Sequence, residues 1–434
     1  MSAANALART SLLIQRDVYP DAPEHEIVEA LVGTRVRLVA DESNLTSSAA
    51  RTALVAAFVL IAELGCEIWL DVPSVETLDQ PPLPQGDLRA GLLELGRTLI
   101  TPATLDVEEP AALAIAFGDT PMRRADHRTV RVSGDEFSMR LDESRGGGLP
   151  WTGTLPFGAL VSACAVAAEA FKEAMRKLGD QRVQHPHSER ALPQPKSFEL
   201  GLPPFAISEG GISLGRVDVI SAGAITNAAI FALLRLAGVS GALRVFDEDR
   251  LARSNLNRYP LASVRQLSDL KVEALERLST DRLEITGEAV RLDEVSAREF
   301  APLSERVIIG VDHVPSRWVA QRHSPGWVGV GATSHFEVVV SGHPADGPCA
   351  GCLHPRDEDD AGDIPTASFV SALAGVLLAY RLAAQSVAPA SINTSSATLA
   401  APLNLAGKHP FVTLPVAARA DCPVESPVAR KSAA

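Results

Sequence analysis

A strand, a tight turn, a helix and a second strand follow one another without interruption in the second half of this sequence. The apolar run Val217–Ser221 leads into the turn SAGAITN, and the residues after it have the apolar spacing of a helix that ends at Gly238. The strand Ala242–Asp249 then ends in acidic residues. Such a unit opens a parallel nucleotide-binding sheet, so the sequence predicts an α/β fold.

A later strand of the same half also ends in an acid. The run Arg306–Asp312 is apolar between its two ends. Ligands of open parallel sheets bind at the carboxyl ends of the strands, and we therefore expect Asp247, Asp249 and Asp312 to face one crevice. The turn before the helix keeps a single glycine, Gly223, which lets the backbone approach a phosphate while the start of the helix offers N–H groups to an anion.

Donor side chains follow the second strand in the stretches DEDRLARSNLNRY and DLK. Asn255, Arg258 and Lys271 would supply hydrogen bonds and positive charge to a triphosphate. A solvated charged loop is the alternative interpretation of the same residues. By itself the turn is equally compatible with a nucleotide site and with an ordinary turn, because only one glycine of the usual fingerprint is present.

The first half of the chain repeats this outline. Strand-like runs over Val36–Asp41, Cys66–Val72 and Leu113–Asp119 alternate with a predicted Ala-rich helix over Ser47–Gly65. Paired strands and a second Ala-rich helix then follow in each half. We interpret the match as an internal duplication of about 180 residues. The alternative is that two unrelated α/β domains share a common outline.

The 434 residues are long enough for two or three domains. A stretch rich in proline, glycine and charge separates the two repeats, and we predict a linker over 181–215. This divides the chain into a domain over 1–180 and a domain over 216–430.

Charge and hydropathy exclude several classes of partner. The formal net charge is −13, whereas phosphate-binding surfaces of nucleic-acid-binding proteins are basic, so no nucleic acid is expected. The apolar stretch Ala53–Ala62 stops at Glu63, short of the roughly 20 residues of a membrane span.

Five scattered cysteines form no disulfide framework in a chain of this length. We therefore expect a cytoplasmic protein without a membrane partner.

The second half resembles the adenylation domain of ubiquitin-activating enzymes and their bacterial ThiF-type relatives. The resemblance is carried by SAGAITNAAIFALLRLAGV, VFDEDRLARSNLNRY, DLKVEAL, GVD and GPCAGCLHP, in this order, and it is strong over 216–425. Over 36–178 it is weak, as for the degenerate partner domain of that family. The resemblance implies two Rossmann-like domains that form an intrachain pseudo-dimer, of which the C-terminal one is catalytic.

The resemblance also implies a reaction. The family uses ATP and magnesium to adenylate the C-terminal carboxylate of a ubiquitin-like protein or of a peptide. Carried over by position, Gly223 matches the central glycine of the family's nucleotide loop. Asp247 matches the acid that holds the ribose, and Asp249 matches the second acid of a D-x-D pair. Asn255 and Arg258 match an N-x-x-R motif that touches the phosphates.

Two further positions complete this set. Lys271 matches the phosphate lysine and Asp312 the aspartate that positions magnesium, so Arg258, Lys271 and Asp312 are the predicted catalytic residues. His313 stands where the family has asparagine, and Thr226 replaces the last glycine of the loop. No general base is needed, because a carboxylate is already ionised at pH 7.

Cysteine spacing predicts a structural zinc site. Cys349 and Cys352 form a CxxC pair on a turn, which is a spacing of zinc ligands. The family has a second CxxC near the C terminus, where this sequence has Cys422 and, in place of the last cysteine, Glu425. Glu425 and His354 are the two candidates for a fourth ligand, and loss of the metal is the alternative interpretation.

The family's thioester cysteine has no counterpart in the segment RDEDDAGDIPTASFVSALAG. The activated substrate would then pass to a nucleophile on a partner that resembles a conjugating enzyme. The other route is an oxyester on Thr366, Ser368 or Ser371, although a hydroxyl is a poor nucleophile without a base. Helix capping is the non-catalytic interpretation of these three residues.

The first half lacks the nucleotide-binding residues and is expected to be inactive. It would complete the fold and lend an arginine to ATP, and Arg9 and Arg16 are the candidates by position. Activation of a ubiquitin-like protein is the leading hypothesis. Adenylation of a small peptide or another carboxylate, and a catalytically dead scaffold favoured by the eroded glycine turn, are the alternatives.

Overall fold

We describe the fold from a computed structural model of the chain. The structure describes residues 3–77, 80–105, 107–143, 148–180, 192–207, 211–357, 364–389 and 394–424. Two mixed sheets, each built mainly from parallel strands and covered by helices, form the framework. This confirms the predicted α/β fold with two Rossmann-like domains.

The first sheet contains seven strands in the order β5-β2-β1-β6-β7-β8-β9. Its four neighbouring pairs from β5 to β7 are parallel, and the pairs β7–β8 and β8–β9 are antiparallel. The strands of this half are β1 (Arg35–Val39), β2 (Glu67–Asp71), β3 (Glu76–Thr77), β4 (Gly86–Asp87), β5 (Ala103–Leu105), β6 (Leu113–Phe117), β7 (Arg128–Gly134), β8 (Ser138–Asp142) and β9 (Ser197–Gly201). Its helices are α1 (Ala3–Asp17), α2 (Glu24–Val32), α3 (Glu42–Leu45), α4 (Ser48–Glu63), α5 (Leu88–Gly96) and α6 (Phe157–Asp180).

The second sheet contains eight strands in the order β12-β11-β10-β13-β14-β15-β16-β17. Its strands are β10 (Ile212–Ile220), β11 (Val239–Phe246), β12 (Leu283–Glu288), β13 (Arg306–Ile309), β14 (Trp327–Ser334), β15 (Glu337–His343), β16 (Ser396–Ala400) and β17 (Phe411–Pro415). Its helices are α7 (Ala224–Leu233), α8 (Lys271–Glu276), α9 (Glu294–Phe300), α10 (Val314–His323), α11 (Ala350–Leu353) and α12 (Ser368–Val387).

The two sheets have the same order and the same strand directions. The pairs from β12 to β14 are parallel and those from β14 to β17 are antiparallel, so seven strands of the second sheet reproduce the first one strand for strand. Both sheets are covered by helices, which is why β6 is an apolar run rather than an alternating one and β13 is apolar after Arg306. The topology supports the predicted internal duplication.

Helices from both halves meet in one continuous core. Helix α6 packs on α4 and on α12, and α12 packs in turn on α7. Nearly every side chain of α4 is buried, because helices cover it on several sides, and its sequence accordingly lacks an amphipathic pattern. The halves therefore form an intrachain pseudo-dimer whose joint is made of helices.

Two predictions about the chain's organisation meet the structure here. Residues 197–201 of the predicted linker form β9 at the edge of the first sheet, while 181–191 and 208–210 lie outside the described residues. Helix α12 is long and apolar enough to cross a membrane by length and composition. Its most apolar window is 83% buried inside the protein, as in the core helix of a globular domain.

Candidate functional site

The turn between β10 and α7 has an unusual backbone. Ser221 adopts a positive φ of 77°, a left-handed conformation that is costly for a residue with a Cβ. Its Oγ accepts a hydrogen bond from the Gly223 N–H at 3.0 Å. Gly223 is the N-cap of α7 and has no side chain to cap it. The first N–H groups of α7 therefore face the cavity described below, where an anion would meet the positive end of the helix.

Asp247 fixes this turn at the end of β11. Its Oδ2 accepts the Ala222 N–H at 2.8 Å and the Ser221 hydroxyl at 3.2 Å. Its Oδ1 accepts the Asp249 N–H at 2.9 Å. The glycine turn and the acid are thus held together by direct hydrogen bonds.

Lys271 connects the two acids. Its Nζ lies 2.7 Å from Asp249 Oδ2 and 3.6 Å from Asp247 Oδ1. Burial opposes the charge of Lys271, but the neighbouring Tyr259 phenol and the two carboxylates together raise its pKa. The ammonium group is therefore charged at neutral pH and lies against the wall of the cavity.

Arg258 is buried beside them and is held from its own loop. Its Nη1 donates to the Asn257 Oδ1 at 2.6 Å and to the Ser254 carbonyl. Burial lowers its pKa, although an arginine remains charged at pH 7. Asn255 stabilises the same loop, because its Oδ1 accepts the Ala252 N–H at 2.8 Å.

Asp312 follows β13 on the other side of the turn. Solvent reaches its carboxylate through the mouth of the cavity, yet protein atoms surround most of it. This burial raises the pKa of Asp312, while the charges of Arg317 and Arg258 act to lower it. The next residue, His313, is the N-cap of α10, and its Nδ1 accepts the Ser316 N–H at 3.3 Å.

These groups line one cavity of about 410 Å³ at the carboxyl ends of the strands of the second sheet. The sequence-predicted residues in its wall are Gly223, Asp247, Asp249, Asn255, Arg258, Lys271, Asp312, Thr366, Ser371 and Arg9. Arg9 belongs to α1 of the first half, and its Nη1 also donates to the Ile364 carbonyl at 3.4 Å. Arg16, the other arginine candidate, is paired with Asp17 and is not part of this wall.

The three candidate hydroxyls separate into two environments. Thr366 and Ser371 face the cavity, and their hydroxyl oxygens lie 2.9 Å apart. Ser368 points elsewhere, since its hydroxyl donates to the Leu60 carbonyl of α4 at 2.8 Å. The contact of Ser368 is therefore part of the joint between the two halves.

Three cysteines converge near the start of α11. The Sγ of Cys349 lies 3.8 Å from that of Cys352 and 3.3 Å from that of Cys422, and all three thiols are buried. Sulfurs bound tetrahedrally at about 2.3 Å from zinc lie roughly 3.8 Å apart, so the donor set fits the metal. Within the described residues this cluster does not include His354, and Glu425 lies outside them.

Two residues that sequence reasoning did not assign belong to this region. Tyr259 lines the cavity directly after Arg258 in the chain. Glu63 at the end of α4 is fully buried, and both carboxylate oxygens lack a hydrogen-bond partner among the described residues. Burial raises its pKa well above the ordinary value, and the charge of Arg258 opposes this shift. A single acid at the end of a long apolar stretch was the available signal.

The corresponding edge of the first sheet is closed by its own side chains. The Nδ2 of Asn44 donates to Asp41 at 2.8 Å, to Asp119 at 2.7 Å and to the Thr120 hydroxyl at 3.2 Å. These residues follow β1 and β6, the counterparts of β10 and β13. An asparagine therefore occupies the space in which the second sheet has its cavity.

Comparison with known proteins places the second half in a family. The sequence model of the ThiF family matches residues 212–422. The uncharacterized protein y4jF of Sinorhizobium fredii (strain NBRC 101917 / NGR234) is 30% identical over 146 residues, which are 33% of this chain and 28% of that protein. Among solved structures, E. coli MccB with ATP shows 15% identity and a TM-score of 0.39 over 48% of this chain and 66% of the other.

A second solved structure, PaaA, shows 13% identity and a TM-score of 0.37 over 46% of this chain and 64% of the other. The matched region thus spans less than two thirds of each of these relatives. The family match follows the second sheet from the first residue of β10 to Cys422 of the cysteine cluster. The chain therefore contains a ThiF-family domain, which comprises residues 212–422.

Proposed function

We propose that the chain is an ATP-dependent adenylating enzyme that activates a carboxylate. One observation carries the proposal: a single cavity brings a helix N-terminus, an acid pair and the side chains of Arg258, Lys271 and Asp312 together with Arg9 from the other half. The membership of 212–422 in the ThiF family supports it. The set has the donors and charges that a triphosphate requires.

The reaction joins two anions, so catalysis consists of positioning and charge neutralisation. Asp247 would accept hydrogen bonds from the ribose, and the N–H groups after Gly223 with Lys271 and Arg258 would bind the phosphates. A carboxylate oxygen then forms a bond to the α-phosphorus, and the bond to the β-phosphate oxygen breaks. Pyrophosphate leaves with the electron pair, and no proton is transferred.

Magnesium would enter with ATP. The Asp312 carboxylate is the side chain of the cavity that would hold it, because magnesium prefers oxygen ligands and Asp312 lies beside the phosphate-binding turn. The ion would neutralise part of the phosphate charge. Away from this cavity, we propose that Cys349, Cys352 and Cys422 hold a structural zinc ion, with a fourth ligand from Glu425 or His354.

We propose that the activated group is the C-terminal carboxylate of a ubiquitin-like protein. The fused first half supports this choice, because it enlarges the surface available to a protein substrate. The acyl group would pass directly to a partner that resembles a conjugating enzyme, since the hydroxyls of Thr366 and Ser371 bond to each other and to no basic group among the described residues. Five unpaired cysteines fit a reducing compartment, and we propose the cytoplasm.

ATP–pyrophosphate exchange tests this function. Purified chain, magnesium and ATP are assayed with and without a ubiquitin-like protein that ends in a free glycine. Exchange that depends on the added protein supports the proposal. ATP binding without such exchange favours a small peptide or another carboxylate as substrate. Absence of both exchange and ATP binding would make the chain a dead scaffold.

A further inference from the structure

The order of the strands fixes the order of groups along the cavity. Strands β11, β10, β13 and β14 are direct neighbours, and each contributes to the wall at its carboxyl end. Asp247 follows β11, the Ser221 turn follows β10, Asp312 follows β13 and Thr333 lies on β14. With strands about 4.8 Å apart, this row spans roughly 14 Å.

The proposed function assigns all but the last of these positions. Ribose at Asp247 and phosphates at the Ser221 turn and Asp312 place the nucleotide over β11, β10 and β13. The acyl substrate must approach the α-phosphate from a side that the nucleotide leaves open. That side is the β14 end of the cavity, where Thr333 lies, and Ile364, Thr366 and Ser371 contribute further residues to the same cavity wall.

Helix α12 begins two residues after Thr366, so its N-terminus lies at the wall of the cavity. It packs most extensively on α7 and α6 and also lies against β14 and β15, and its N-cap, Ala367, provides no side-chain hydrogen bond. Thr366 is 6% exposed and Ser371 is 2% exposed, yet both line the cavity. Their 2.9 Å contact uses one of the two hydroxyl hydrogens, and within the described residues the two hydroxyl groups have no other side-chain partner.

We propose that the hydroxyls of Thr366 and Ser371, at the N-terminus of α12, form the subsite that binds the carboxylate of the acyl substrate. This inference rests on the proposed adenylation and specifies where its second substrate lies. One hydroxyl donates to the carboxylate oxygen that does not attack, and the positive end of α12 favours the same anion. After transfer, this oxygen is the carbonyl oxygen of the acyl-adenylate, and the hydroxyl still donates to it.

A stable analogue of the product tests the subsite without knowledge of the natural substrate. The probe is 5′-O-[N-(N-acetylglycyl)sulfamoyl]adenosine, and AMP is the reference ligand without an acyl group. Titration calorimetry on the full chain gives the Kd of each. We expect Thr366→Val and Ser371→Ala to weaken binding of the analogue about five- to tenfold, as for one lost hydrogen bond, and to change AMP binding less than about twofold.

Two matched variants control for structural effects. Thr366→Ser keeps the hydroxyl and is expected to keep the affinity for the analogue. Ser368→Ala removes a hydroxyl from the first turn of α12, and this hydroxyl donates to the Leu60 carbonyl instead of lining the cavity. We expect this variant to keep the affinity for both ligands. If Thr366→Val fails to fold, Ser371→Ala still decides the question.

The outcomes separate the subsite from the function. An unmodified chain that binds AMP but gains no affinity from the acyl group contradicts the subsite alone. The subsite is also contradicted if Thr366→Val weakens binding of the analogue and of AMP equally. A loss of affinity for the analogue in Ser368→Ala as large as that in Ser371→Ala contradicts it as well. A chain that binds neither nucleotide contradicts adenylation itself, and the subsite with it.

Discussion

The two sheets of this chain share one topology, but their carboxyl ends differ in what fills them. In the first sheet Asn44 bridges Asp41 and Asp119 by hydrogen bonds, so these side chains satisfy one another. In the second sheet the equivalent edge is open, and the side chains of Arg258 and Lys271 line a cavity of about 410 Å³. The same framework can therefore end in a closed hydrogen-bond cluster or in a binding site.

The difference lies in a few side chains and in the turn, because the framework itself is duplicated. The first turn contains no glycine, and Asp41 caps the short helix α3 where the second half has the Gly223 turn. The first half still contributes to the site of the second, because α1 carries Arg9 to the cavity wall. We propose that the first repeat has a structural and supporting role and no nucleotide site of its own.

The largest expected effect comes from removing the phosphate cations of the second half. We expect Lys271→Met and Arg258→Ala each to reduce ATP–pyrophosphate exchange at least about 100-fold, as for other preorganised charge-stabilising groups. Lys177→Met in the first half is the matched control, since its ammonium group donates to the Gly33 carbonyl and does not line the cavity. Full exchange by Lys271→Met would place the phosphate site elsewhere.

Asp312 and Asp119 occupy corresponding strand ends of the second and the first sheet, so substituting each one compares the two edges directly. We expect Asp312→Ala to lower exchange about 100-fold without loss of thermal stability, because burial already disfavours its charge. Asp119→Ala should keep exchange and lower the free energy of unfolding by about 1 kcal/mol, because it removes the hydrogen bond to Asn44. Exchange assays and denaturant melts on both variants check this, and the reverse pattern would assign the active edge to the first sheet.

Much of this organisation could be predicted from sequence. The predicted helix over Ser47–Gly65 is confirmed as α4, and the acid-ended strands β11 and β13 lie on either side of β10, as the connection rules of parallel sheets favour. The strand over 197–201 was missed, since a short edge strand in a proline-rich stretch has little apolar pattern. The Asn44 bridge was missed as well, because it depends on contacts between residues 75 positions apart.

The cysteine cluster belongs to the second half alone among the described residues. We expect one zinc ion per chain by elemental mass spectrometry, and its loss together with a lowered Tm in Cys422→Ser. Cys164→Ala in helix α6 is the control, because Cys164 is isolated in the core and its substitution leaves no metal ligand missing. Zinc-free chain with an unchanged Tm would show that the three thiols serve only packing.

Arg9 tests how far the proposed activity of the second half depends on the first half. We expect Arg9→Ala to raise the KM for ATP about tenfold, the effect of a lost charged hydrogen bond, with a smaller change in kcat. Arg16→Ala is the control from the same helix, because that arginine pairs with Asp17 outside the cavity. Equal KM and kcat values for the two variants would show that the first half contributes no side chain to ATP binding.

The smallest expected effect concerns Glu63, the buried acid of the first half that is influenced by Arg258 of the second. Burial raises its pKa in the folded chain, so between the ordinary and the raised pKa the native state binds more protons than the unfolded state. Stability should therefore fall as pH rises through that interval, and Glu63→Gln should reduce the fall. Denaturant unfolding at pH 5 and pH 8 measures this change in stability, with exposed Glu42→Gln as control.

Arg258→Ala should steepen the fall in stability, because the Arg258 charge opposes the upward shift of the Glu63 pKa. An unchanged pH dependence of stability in both Glu63→Gln and Arg258→Ala would contradict this electrostatic contact between the halves.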